Sequence, residues 1–177
     1  MIEHERTLNN IKSELLTLYV HASEGYKSFN TYFSIFQQSV FKFFNIENTH
    51  FFIVQDRLLK PTNPSFNKEL FRNGIAWAKF EYYFDETNIV PIPEAFINSE
   101  PFSRLDQMMV IRKNNNEPFG VIFFESTPSW HSFANSTYIN EFLVVVSKLF
   151  LTIYDSIEIR LNEIHYRKLY NMTDLFH

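Results

Sequence analysis

The chain has 177 residues, enough for one domain with a substantial core and too few for two of ordinary size. Phe accounts for 21 of them and Cys for none, which excludes disulfides, thiolate metal sites and cysteine nucleophiles. The formal net charge is -4 and the basic residues are scattered, so the clustered Lys/Arg footprint that nucleic acid or an anionic membrane demands is missing. Residues 1–6 are polar, without the apolar stretch of a signal peptide, and the apolar runs stop well short of a membrane span; a soluble, cytoplasmic chain is expected.

Leu8, Ile11, Leu15, Leu18 and Tyr19 follow helical spacing and predict an amphipathic helix over about 5–22, broken by Gly25. Phe29, Phe33, Phe36, Val40, Phe43 and Phe44 repeat the pattern and predict a second helix over about 28–45. "THFFIVQ" (49–55) is β-branched and aromatic and too short for a helix, so it reads as a strand. A polar connection, "RLLKPTNPSFNKE", holds a short strand at 58–60. "LFRNGIAWAKF" reads as a short helix or turn leading into an extended piece, "FEYYF" (80–84). "DETNIVPIPEAFINSEPFSRL", interrupted by Pro91, Pro93 and Pro101, is the least regular part. "QMMVIRK" (107–113), a turn at "NNNEP" and "FGVIFFES" (119–126) give the strongest hairpin signal. "STPSWHSF" reads as a loop. Phe133 then opens a long helix with Leu143, Val146, Phe150, Ile153, Ile157, Leu161 and Ile164 on one side.

The order is helix, helix, strand, irregular middle, strand hairpin, long helix. It predicts one α+β domain over 1–177, with a central antiparallel sheet backed by the first and last helices. Neither hairpin strand alternates apolar with polar, so both sheet faces should be covered. The helices serve one face. Residues 85–104 are expected to cross the other, with Val110 and Val121 buried in a central antiparallel pair.

The run Pro118, Phe119, Gly120, Val121, preceded by a polar turn and followed by an aromatic loop and a long helix, resembles the carboxyl half of a GAF domain. Phe133 and Phe142 match that family's apolar positions, and the paired helices up to Phe44 also fit. The resemblance implies a GAF-like sheet and a sensory input module of a larger bacterial signalling protein, binding a small molecule, a partner or both. "LNEIHYRKLYNMTDLF" is similar to linkers before a second sensor or a diguanylate cyclase (GGDEF) domain, which implies a cyclic-di-GMP output on the carboxyl side. Relatives that attach a tetrapyrrole or reduce methionine sulfoxide need cysteines that this chain lacks. "FNKE" (66–69) and "KFEYYFDE" (79–86) are only loose echoes of the cyclic-nucleotide signature, and there is no room for a helix-turn-helix.

Other chemistry finds little footing. Gly25, Gly74 and Gly120 are isolated, which rules out a phosphate-cradling glycine loop. The six His residues share no ligand spacing; His131, beside Trp130, is the one of interest. Asp85, Glu86, Glu100 and Asp106 flank the irregular segment as solvated acids, and no nucleophile elbow occurs. No catalytic residue, metal or cofactor is therefore expected. Trp77, Tyr82 and Phe102, in or beside the cover segment, either line a ligand pocket or plug it. Arg104 and Arg112 are the candidate anion partners there. Two alternatives stand beside the input module: a self-contained small enzyme with its site around 85–106, and a ligand-free GAF-like dimerisation domain.

The last helix has no Gly or Pro up to His177, with Asn171 as the single candidate stop, so we expect it to leave the domain over 155–177 and the chain to continue. Ile157, Leu161 and Ile164 are spaced as a coiled-coil seam. The stripe shifts past Lys168 to Leu169, Met172 and Phe176. A homodimer through the terminal helices is expected.

Overall fold

Six antiparallel strands form one sheet in the order β3-β2-β1-β6-β5-β4, with the long helices on one side of it. The computed structural model describes residues 2–24, 27–84, 87–97 and 99–175, and within them all side chains but those of 24, 158–162 and 173–175. Gly25, Asp85, Glu86, Phe176, His177 and the Leu161 side chain, which the sequence reading singled out, lie outside what is described. In chain order the elements are α1 (Ile2–Glu24), α2 (Phe29–Ser39), β1 (Thr49–Gln55), β2 (Leu58–Pro61), α3 (Lys68–Asn73), β3 (Ile75–Ala76) and α4 (Ala78–Glu81). They continue with β4 (Ile89–Pro91), α5 (Glu94–Ile97), β5 (Gln107–Arg112), β6 (Pro118–Phe124), α6 (Pro128–Ala134) and α7 (Ile139–Leu175).

Local chemistry sets the joints. Ser28 caps α2 by accepting from the Thr31 amide, and Asn45, left-handed at φ 57°, ends the 3-10 turn Phe41–Phe44 that follows. Asp56 and Arg57 both hold positive φ, 53° and 63°, the shape that a two-residue hairpin between β1 and β2 requires. In the centre Val110 stands opposite Val121, and both are buried. Between Ile111 and Arg112 the β5–β6 register shifts, leaving Phe119 as the extra residue of a bulge. Phe119 turns to the helix side and packs on Phe51 and Tyr154.

Each face carries its own apolar cluster. On the helix side, Phe36, Phe41, Phe51, Ile122, Phe124, Trp130, Phe142 and Phe150 join α1, α2, α6 and α7 to the sheet. On the other side, Phe52, Trp77, Phe80, Phe84, Phe102, Met108, Val110, Val121 and Phe123 are sealed by the chain from 66 to 105. Val90, Ile92, Phe102 and Leu105 are buried there, so the Pro-rich segment is the cover that the two apolar strands require. At about 1.5–3 kcal/mol for each fully buried large side chain, these two layers dominate the folding energy.

Three local expectations are corrected. "FEYYF" is helical, not extended: α4 runs into a 3-10 turn, Tyr82–Phe84, which sets Trp77, Phe80 and Phe84 on one side for burial. That packing outweighs the strand preference of the aromatics. "STPSWHSF" holds a helix rather than a loop. Thr127 caps α6 through the Trp130 amide, Pro128 opens it, and Trp130 and Phe133 are buried three residues apart. The long helix consequently starts at Ile139, after a break that turns the chain by 101°. The middle is also less irregular than its prolines suggest, since β4 pairs with β5 and α5 follows.

α1 and α7 lie side by side and run the same way: Lys12 pairs with Glu141, and Leu15, Leu16 and Tyr19 meet Val145, Lys148 and Leu149. Among the described side chains Ile153 is the last buried one of α7, Ile157 still packs on the core, and Glu163–Met172 are all exposed. Among the described residues no single helix is long and apolar enough to cross a membrane.

Candidate functional site

Of the five residues expected around a ligand, the structure brings two together, inside the core. Trp77 stacks on Phe84 at 5.8 Å, and Phe102 lies 5.0 Å from Phe123 and 6.0 Å from Phe52. Both belong to the cover-side cluster, and they fill it. Tyr82 points outward, 76% exposed, against Tyr83 alone, and Arg104 is exposed. Arg112 is a tie: its guanidinium donates to Asn88 Oδ1 (3.1 Å), Asn116 O (3.0 Å) and Phe84 O (3.3 Å), joining the β5–β6 turn to the end of the 3-10 turn.

His131, noted in the sequence, meets Ser126 and Asp106. Its Nε2 is 2.8 Å from Ser126 Oγ, whose hydroxyl donates to Asp106 Oδ2 (2.5 Å) while the Ser126 amide donates to Oδ1 (2.7 Å). The order is carboxylate, hydroxyl, imidazole. Activating a serine needs the imidazole in the middle, oriented by the carboxylate. Here the carboxylate accepts the hydroxyl's hydrogen bond directly, and the set locks the end of β6 to the start of β5 and to α6.

A different place combines buried polar groups with open space. β1 pairs with β6 from Thr49 onward, but β2 reaches it only from Phe52, opposite Pro61. The first residues of β1 therefore have a strand on one side and, on the other, α2 and the loop after β2. A cleft of about 200 Å³ lies between them. Thr62 crosses part of it, donating its amide (2.9 Å) and its hydroxyl (3.2 Å) to Phe51 O. Asn48 O accepts from the Glu125 amide (2.9 Å), so the next pair, Thr49 with Phe124, is of the kind that exchanges no bonds. This turns the Thr49 N–H and C=O away from β6, toward the cleft.

Thr49 is 5% exposed, and its Oγ1 is buried without a partner. Such groups are rare in native proteins, and each calls for an explanation. Beside it, His50 stacks on Phe66 with 3.7 Å between ring centres, and its nitrogens take no protein hydrogen bond among the described residues. Gln37 and Asn63 hold the walls, Gln37 Nε2 donating to Glu47 O (2.7 Å) and Asn63 Oδ1 accepting from the Ser65 amide (2.9 Å). No Lys or Arg lines the cleft; Glu47, at its rim, is the charged residue. The sequence sets His50 with the other histidines, without ligand spacing, and marks Thr49 only as the start of a strand.

Burial lowers His50 from its ordinary 6.5 to about 4, so the ring is neutral near pH 7. Between those two values the unfolded chain binds a proton that the folded chain refuses, and stability falls as the pH drops from about 6.5 toward 4. His50→Phe, which keeps the stack on Phe66, should remove that slope. We expect about 1–2 kcal/mol, less than the full shift implies because solvent reaches part of the ring. Urea midpoints of both chains taken across the window check this, and parallel curves would contradict it.

No protein-family model matches the chain, and no curated protein does. Among solved structures it is similar to the A. aeolicus nlh2 GAF domain, crystallised in an inactive state, at 11% identity and a TM-score of 0.44, over 85% of this chain and 99% of that one. A likeness of this degree assigns no ligand and no residue role.

Proposed function

We propose that the chain is a regulatory input module of a larger bacterial signal-transduction protein, GAF-like in layout and cytoplasmic. In this reading its terminal helices pair with a second copy, and α7 passes its state to an output domain, of the diguanylate cyclase kind, on its carboxyl side. One observation carries it: α7 packs on the core as far as Ile157, and its described residues from Glu163 to Met172 are all exposed. The sheet backed by the first and last helices is the layout that the sequence resemblance implies. Ile157 packs on the helix-side cluster, so a seam between copies starts beyond it, at Ile164, Leu169 and Met172, which are all exposed. Leu16, Tyr19 and Val20 add exposed apolar surface on α1.

Light scattering tests the pairing. A dimer is expected at micromolar concentration, and Leu16→Glu with Ile164→Glu should give a folded monomer with unchanged circular dichroism, because both sites are exposed. A strict monomer at high concentration would overturn the pairing.

A further inference from the structure

We infer that the cleft beside Thr49 binds an uncharged carboxamide on a ring of about the size of a single aromatic. The Thr49 N–H and C=O face open space where β2 has ended, one donor and one acceptor side by side. A carboxamide offers the matching acceptor and donor in one plane, as the missing strand would. At the same residue Thr49 Oγ1 is buried and has no hydrogen-bond partner among the described residues. The His50–Phe66 stack and Phe33 give flat apolar surface for the ring. A volume near 200 Å³ limits the occupant to small molecules.

Charge narrows the class further. No Lys or Arg is among the described residues that line the cleft to hold a carboxylate or phosphate, and the charged residue among them, Glu47, is an acid. A carboxylate also lacks the donor that the Thr49 carbonyl requires. The cleft should accordingly prefer an amide to the acid of the same shape. Nothing in this depends on how the terminal helices pair, although it deepens the reading of the chain as a responsive module.

Nicotinamide and benzamide, against nicotinate and benzoate, provide the test. The two amides should raise the melting temperature and shift the His50 ring proton resonances at millimolar concentration, and the two acids should bind at least tenfold more weakly. Thr49→Val matches the shape and removes an unsatisfied hydroxyl, so it should leave the melting temperature equal or higher while weakening the amide response at least tenfold. His50→Phe, likewise folded, should weaken it as well. Equal binding of acids and amides, an amide response kept in both variants, or no movement of the His50 signals would overturn the proposal. A monomeric chain that binds the amides would sink the helix pairing and keep the site.

Discussion

Phe102→Ala should cost about 3–5 kcal/mol and open a cavity that binds benzene. Phe102 is buried at 2%, between Phe52, Phe96 and Phe123, under a cover segment whose other contacts would survive its loss. The removed ring leaves a void whose lining is apolar throughout, and such voids stay dry. Had Phe102 lined a pocket open to solvent, truncation would cost far less, since the ring would surrender little buried area. Urea unfolding gives the cost, and the melting temperature with and without benzene reveals the cavity. A loss under about 1 kcal/mol would show that the residue is a wall rather than a plug.

Gly120→Ala should destabilise by about 2–3 kcal/mol although it adds a single methyl group. A Cβ at Gly120 would stand 2.6 and 2.8 Å from the Phe51 ring and 3.0 Å from the carbonyl of Phe52. The carbonyl belongs to β1, and the ring is hemmed in by Phe29, Phe33 and Phe150 at 4.7, 5.4 and 5.1 Å. Neither can yield without moving the helices. A second change, Phe51→Leu, makes room, so the pair should be more stable than Gly120→Ala alone. A wild-type urea midpoint for Gly120→Ala would refute the close approach.

What the sequence disclosed, and what it hid, follows the range of each signal. The apolar runs of β5 and β6 announced a strand pair covered on both faces, because burial on two sides leaves its mark residue by residue. Gly120 was visible as part of a resemblance, yet its physical reason, the Phe51 ring across the strand, needed the register. α6 was legible: a Thr cap followed by Pro at the first turn is a helix-start signal, although the short polar run "STPSWHSF" also has the composition of a loop. Trp77 and Phe102 were placed in the right layer, but composition carries no volume, and filler looks like lining. The cleft at Thr49 was not legible at all. It exists because β2 stops three residues short of where β6 still pairs, a mismatch between strand ends that are distant in the chain.

α2 has a mechanical consequence through the placing of its side chains. Ser34 and Gln37 border the cleft, while their neighbours Phe33 and Phe36 press on Phe150 of α7, at 6.2 and 4.9 Å. Interiors packed as densely as crystals pass strain on instead of absorbing it. A wedge entering beside Gln37 would therefore strain the half of α7 that packs on the core. From Ile157, which still packs on the core, to Leu175 that helix extends about 27 Å at 1.5 Å per residue. A tilt of about 5° at the held part would swing the far tip by roughly 2.4 Å, a little under half the rise of one helical turn. Half of α7 is thus clamped in the core and half projects from it, so that a small tilt in the first half would be carried undiminished into the second.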